Sequence, residues 1–340
     1  MARSIAFYLP QFHPIPENDA WWGAGYTEWT AVRRGRPLFA DHYQPHVPAD
    51  LGHYDLRDPA VRVRQAELAR RYGIEGFCYY HYWFAGRRLL ERPFDEVLAS
   101  GEPDFPFCLC WANQSWTGIW HGAPDRMLVE QTYPGTDDHR QHFACLLVAF
   151  RDPRYIRVDG RPLLLIFSPR KLPEPAALLE LWRRLAREAG LPGLFVLAVS
   201  HVRRHDTLAS LGFDGTVTMC VPPRRIEAAK PTIYRHDEIV DRLVHVRAPG
   251  TVDFPCVSPN WDNAPRTGAN GVVLHDSSPA LFRQNLVTAH RALAAEPEDR
   301  RLIFLKAWNE WGEGNHLEPD RRFGHGFLEQ VSKAEQAARA

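Results

Sequence analysis

From one end to the other, the chain alternates short apolar runs with longer amphipathic ones that carry helix caps, and few folds accept that pattern. The apolar runs are Ser4 to Leu9, Gly76 to Tyr80, Phe105 to Trp111, Pro162 to Phe167, Leu194 to Val199, Gly215 to Met219, Phe254 to Pro259 and Leu302 to Ala307. Between them, Asp58 and Pro59 read as N-cap and first residue of a helix that Gly73 stops, and Asp137 caps a helix through Phe150. Further helices are expected over Ala176 to Ala189 before Gly190, over Glu238 to Val246, and after Ser278 and Pro279. Eight strands with helical crossovers and no glycine-rich linker predict one α/β domain over residues 1–340, a (β/α)8 TIM-type barrel with long decorated βα loops.

Composition removes several classes of function. Lys plus Arg number 41 and Asp plus Glu number 41, so the basic field that drives non-specific nucleic-acid binding is missing and no nucleic-acid partner is expected. The longest apolar stretches are of the Leu163 to Phe167 size, far below the roughly 20 residues of a membrane span. Ile5 to Leu9 is too short for the apolar region of a signal peptide, which leads to an expectation of cytoplasmic location. The 6 cysteines lie scattered in apolar segments without zinc-ribbon spacing and read as reduced, buried thiols.

In a barrel the chemistry sits at the carboxyl ends of the strands, and there the sequence turns polar and aromatic together. The first strand leads to Tyr8, Gln11, His13 and, further along its loop, Trp29; the second to Tyr80, His81, Tyr82 and Trp83. The third ends in Trp111, Asn113 and Trp116, the seventh in Trp261 and Asn263, and the eighth in Trp308, Asn309 and His316. These are the candidate substrate-binding residues, because aromatic rings beside amide and hydroxyl groups suit sugar faces. Trp and Tyr also fill large cores, so part of the set belongs to packing.

Glu310 and Glu313 are the candidate catalytic pair. Three apart, they face one cavity if the chain turns helically there, and two carboxylates in one aromatic pocket can divide acid and base work. Spacing alone also fits solvated glutamates or arginine pairing; their place among Trp308 and Trp311 after the last strand favours function. No metal and no cofactor are expected. His42/His46 and His201/His205 have i, i+4 spacing, but Pro45 breaks a helix in the first and neither has an HExxH context. GxSxG, a P-loop and a dinucleotide loop are all missing from the sequence.

The rim segments AFYLPQFHPIPENDAWWGAGYTEWT (Ala6 to Thr30), YGIEGFCYYHYWFAGRRLLERP (Tyr72 to Pro93), FPFCLCWAN (Phe105 to Asn113), VSPNWDNAPR (Val257 to Arg266) and KAWNEWGEGNHLEPD (Lys306 to Asp320) resemble the WbsX-like family of bacterial polysaccharide-biosynthesis proteins. That family is related to the endo-α-mannosidases of glycoside hydrolase family 99. The resemblance implies a (β/α)8 barrel, a carbohydrate substrate, and partners among polysaccharide-biosynthesis enzymes. It carries the NEWxE pair onto Glu310, which would help the sugar 2-hydroxyl attack its own anomeric carbon, and Glu313, which would serve as acid and then base. After WAN, this chain has Gln114, Ser115 and Gly118 where relatives carry an acidic residue, Asn and Arg. The expected function is that of a retaining hydrolase or transglycosylase on α-mannoside-like sugars. The alternatives are a glycosyltransferase of surface polysaccharide and a non-catalytic carbohydrate-binding protein.

Overall fold

The structure, a computed structural model, describes residues 2–118, 123–201, 208–220, 222, 230–245 and 252–339. Eight parallel strands form the central sheet: β1 (Arg3–Tyr8), β2 (Ile74–Phe84), β3 (Phe107–Trp111), β4 (Arg161–Ile166), β5 (Phe195–Ser200), β6 (Gly215–Met219), β7 (Asp253–Val257) and β8 (Leu302–Leu305). Each pairs with the next, and β1 pairs with both β2 (Phe7 opposite Cys78) and β8 (Ile5 opposite Phe304), which closes the barrel. Leu163 to Ile166 are wholly buried, as expected where one face of a parallel strand looks into the barrel and the other onto helices.

Around the barrel lie α1 (Pro16–Trp22), α2 (Glu28–Arg34), α3 (Pro59–Arg71), α4 (Arg92–Ser100), α5 (Thr136–Phe150), α6 (Pro175–Glu188), α7 (His236–Ile239), α8 (Ala264–Thr267), α9 (Pro279–Ala292) and α10 (Gly326–Arg339). The caps act as the sequence suggests: the Asp58 carboxylate accepts from Ala60 N at 2.9 Å, and Ser278 Oγ from Leu281 N at 3.4 Å. Phe282, Leu286 and Ala289 form the buried face of α9, which lies against β7 and α10.

Three expectations are corrected. The helix foreseen from Glu238 to Val246 is a single turn, α7, followed by a 3-10 turn over Val240–Arg242; Val246 lies outside the described residues. α5 begins two residues early, with Gly135 rather than Asp137 in the cap position. Most consequential, β2 does not stop at Tyr80 but runs to Phe84 and folds back antiparallel onto Arg87–Leu89. That extension imposes strand alternation on residues that had been placed in a loop.

Gly76 shows how tightly the wall is built. A Cβ there would meet the Pro106 carbonyl group and Ile156 Cδ1, at 2.9 Å for the latter, and backbone cannot yield as a side-chain tip can. Gly76→Ala is expected to lower stability by about 1–3 kcal/mol through overpacking. Chemical denaturation reads this as a lower midpoint at unchanged slope.

Candidate active site

At the carboxyl ends of the strands a cavity of ≈ 440 Å³ opens. Lys306, Glu310 and Glu313 come from the end of β8 and the turn behind it, Tyr80 and Tyr82 from β2, and Trp261 and Arg266 from the segment after β7. The loop after β1 supplies Gln11, Asn18, Trp21, Trp22, Tyr26 and Glu28; the one after β3 supplies Gln114, Ser115 and Trp116. His201 completes the rim. Asn18 Nδ2 and Trp261 Nε1 have no hydrogen-bond partner among the described residues.

A 3-10 turn over Trp311–Glu313 puts both catalytic candidates on one side, as their spacing suggested. One guanidinium ties them together: Arg266 donates from Nη2 to Glu310 Oε2 at 3.0 Å, from Nη1 to Glu313 Oε1 at 2.9 Å and from Nε to Glu28 Oε1 at 2.7 Å. Lys306 Nζ donates to Glu313 Oε2 at 3.0 Å and lies 3.8 Å from Glu310 Oε1. Three buried carboxylates thus face two cations, one acidic group in excess.

Burial and the neighbouring Glu313 charge raise Glu310, outweighing Lys306 and Arg266. At Glu313 burial also acts upward, but Lys306 and Arg266, with hydrogen bonds from Lys306 and Asn315, overcome it and hold the carboxyl below its ordinary value. The two carboxyls are therefore shifted in opposite directions, Glu310 being the one more readily protonated. Tyr80 and Tyr82 are pushed up by burial and then by Glu310, so both hydroxyls stay protonated.

Of the residues picked from sequence, Gln11, Tyr80, Tyr82, Trp116, Trp261, Glu310 and Glu313 meet in this cavity. The others lie elsewhere. His81 and Trp83, one step out of phase with Tyr80 and Tyr82 along β2, turn outward onto α5: His81 Nε2 is 2.9 Å from His142 Nε2 and Trp83 stacks on that ring. Trp111 packs against His142 and Trp182, and Trp308 against Phe77. The Tyr8 hydroxyl donates to Gln65 on α3. Trp29 donates to the Tyr54 carbonyl within a cluster of Phe12, Tyr54 and Trp311. His13 bonds the Pro10 carbonyl, Asn309 braces Leu9 from both N–H and C=O, and His316 stacks on Trp311. Asn113 ties down Ser168, and Asn263 accepts from Val272 N.

Glu28, Arg266, Trp21, Trp22 and Tyr26 were not among the picks. Arg266 had no visible signal because it is one of many arginines; Glu28 reaches it across 238 positions. The Gln114 and Ser115 departures give the wall near Trp116 neutral polar character: Gln114 Nε2 donates to Ser168 Oγ at 2.6 Å, and Ser115 Oγ accepts from Gln131 N. Gly118 lies in a short strand paired antiparallel with the segment from Ala123 to Val129.

Among the described residues His46, His316 and Asp320 form a buried group with metal-ligand identities, and His46 meets His316 rather than His42. His46 Nδ1 and His316 Nε2 are 2.8 Å apart, whereas two nitrogens on a tetrahedral ion with bonds of about 2.05 Å stand roughly 3.3 Å apart. The spacing is that of a hydrogen bond: His316 Nδ1–H donates to the Glu318 carbonyl, and its Nε2 accepts from His46. His42 is separately bonded to Asp262 at 2.8 Å; His205 lies outside the described residues.

The family model described as Glycosyltransferase WbsX matches residues 4–331. The chain belongs to the WbsX family. A relative from Xanthomonas campestris pv. campestris (strain B100), named "Uncharacterized protein WxcX", is 41% identical over 345 residues, covering 98% of this chain and 49% of that protein. A second strain, ATCC 33913, carries a protein of the same name, also 41% identical and covered to 49%. The chain spans about half the length of these curated relatives. Among solved structures, a "Glycoside hydrolase-like protein" superposes with TM-score 0.67 at 15% identity, covering 98% of this chain and 93% of its own. The GH99 endo-α-mannosidase of Bacteroides thetaiotaomicron, in complex with BIS-TRIS-propane, does so at 0.60 and 14%, covering 99% and 97%. At these identities the likeness is one of fold: this WbsX-family chain is a (β/α)8 barrel of the GH99 type.

Two substitutions probe the cluster. Lys306→Met removes the cation that holds Glu313 down, so Glu313 is expected to titrate higher by carboxyl NMR. A depressed carboxyl stabilises the fold above its ordinary value of 4.5 and loses that contribution as pH falls through the folded value, so the variant is expected to lose this share of its acid sensitivity. In Gly312→Ala the new Cβ would collide with Glu28 Oε1 and lie 2.7 Å from Arg266 Nε. The expected result, read crystallographically, is separation of Glu28 from Arg266 with the barrel unchanged.

Proposed function

We propose that this WbsX-family chain is a glycan-active enzyme, a retaining glycoside hydrolase or transglycosylase on α-mannoside-like sugars, in which Glu310 and Glu313 divide the acid–base work. The observation that carries this reading is the pair itself: two buried carboxylates bridged by one arginine, shifted in opposite directions, in an aromatic cavity. Tyr82, Trp116, Trp21 and Trp22 offer faces to a pyranose, and the unpartnered Asn18 and Trp261 donors suit a ligand rich in acceptor oxygens.

Charge separates this from its rivals. A nucleotide-sugar donor brings a diphosphate, which needs cations not already neutralised. Among the described residues of the cavity, Arg266 and Lys306 are both engaged by carboxylates, and His201 is held toward its neutral form by burial and Lys306. A neutral glycoside fits such a wall better. The family's description as a glycosyltransferase supports the second reading, transfer from an activated donor to a growing surface polysaccharide. A purely binding role leaves the cost of burying the carboxylate cluster without a purpose.

The proton order refines the roles. Family resemblance makes Glu313 the acid, yet in the free site Glu310 is shifted upward and Glu313 downward, which favours Glu310 as the proton holder. Glu310→Gln and Glu313→Gln are each expected to lose roughly 10²–10⁴-fold in rate with ligand affinity retained. An aryl glycoside with an acidic phenol needs no protonation on leaving, so it restores its first step only in the variant lacking the acid. Rescue in Glu310→Gln assigns the acid to Glu310; rescue in Glu313→Gln returns it to Glu313. Offering an aryl α-mannoside and a nucleotide-mannose side by side fixes the class, and full activity in both glutamine variants removes the paired-glutamate reading.

A further inference from the structure

Outside the cavity lining lies a further buried carboxylate, one that the proposed chemistry does not use. Glu318 is 2% exposed. Its Oε2 accepts from Trp311 Nε1 at 2.6 Å and from the Tyr54 hydroxyl at 2.9 Å, and its Oε1 accepts from Gln65 Nε2 at 2.6 Å. All of these donors are neutral. Burial pushes its carboxyl up to about 7 despite those hydrogen bonds. An acidic group kept this deep at such a cost calls for a reason beyond packing.

The reason lies in where its partners sit. Trp311 directly follows Glu310 in the turn that carries both cavity glutamates, and Asn309 directly precedes it. Glu318 holds Trp311 directly. It reaches Asn309 through Tyr54, whose hydroxyl accepts from Asn309 Nδ2 at 3.3 Å while donating to Glu318. Asn309 is in turn clamped to Leu9 at the end of β1, and Trp311 is pinned on its other side by His316, ring centroids 3.6 Å apart. Gln65 anchors the carboxylate to α3 and passes the chain of bonds to Tyr8.

We propose that Glu318 is a positioning residue: from outside the cavity it fixes, through Trp311 and Tyr54, both residues that flank Glu310, and so sets the orientation of Glu310 toward Arg266 and the substrate. The proposal rests on the catalytic reading of Glu310 for its consequence in rate, but its geometric content does not.

The test therefore joins a position to a rate. Glu318→Leu keeps a side chain of similar size but offers no acceptor, so Trp311 Nε1, the Tyr54 hydroxyl and Gln65 Nε2 all lose their partner, an outcome that glutamine could escape by setting its one oxygen where Oε2 now lies. A crystal structure of the variant is expected to show the 309–313 segment displaced and the 3.0 Å contact between Arg266 and Glu310 lost, with the barrel unchanged. On a glycan that the wild-type protein turns over, kcat is expected to fall about 10²-fold through misplacement of a reacting group, with KM within about threefold. Trp311→Phe keeps an aromatic ring against His316 and removes the indole N–H together with its five-membered ring; it should show a smaller loss, and the double variant should lose no more than Glu318→Leu alone. Glu310 still seated on Arg266 in Glu318→Leu, or losses that add in the double variant, overturns the proposal. If Glu318→Leu does not fold, Trp311→Phe decides by the same crystallographic criterion, an unmoved Glu310 counting against. Absence of turnover in the wild-type protein would sink the functional reading and leave the crystallographic arm to judge Glu318.

Discussion

Closure of the sheet through β1 is the constraint on which everything else depends. A parallel sheet left open has two unpaired edges, and here the first strand removes both by bonding to the second and the eighth. Once the ring is shut, the carboxyl ends of eight strands must surround one space, and loops far apart in sequence become neighbours. Glu28, Arg266, Glu310 and Glu313 meet for that reason. Their mutual attraction cannot have brought them together, since burying five charges costs more than most pairings return. The barrel provides the stability, and the cluster draws on it.

The cluster shows how one arginine can give two similar carboxylates different characters. Glu310 and Glu313 are three residues apart, equally hidden, and both bonded to Arg266. The difference is Lys306, 3.0 Å from Glu313 and 3.8 Å from Glu310. Less than an ångström in the reach of one ammonium group, together with the Asn315 hydrogen bond to Glu313, shifts the two carboxyls in opposite directions.

The architecture was legible in the sequence because apolar runs and caps are local signals: all eight strands lie within a few residues of where the pattern puts them. The cavity lining was legible where a residue's place follows from strand end and spacing, as for Glu310 and Glu313. It was not legible where inward and outward positions alternate. Tyr80, His81, Tyr82 and Trp83 read as one aromatic run, yet they belong to a strand that continues to Phe84, so the first and third face the cavity while the second and fourth face α5. The ion partners escaped for a different reason. Nothing near Glu28 in sequence marks it as the answer to an arginine 238 positions on; only ring closure makes that pairing.

That span has a consequence for how the molecule comes into being. Glu28 leaves the ribosome well before its partners, since Arg266, Lys306 and the two cavity glutamates follow only after seven or more strands of the barrel. Until then, Glu28 waits without its counter-ion and β1 waits without its last neighbour, so an unfinished chain carries an open strand edge and no site at all. Long-range contacts of this kind slow folding because the loop entropy is spent before the contacts reward it. The cluster can therefore assemble only once the last strand has seated, and a nascent chain carries its charged members without the cavity that unites them.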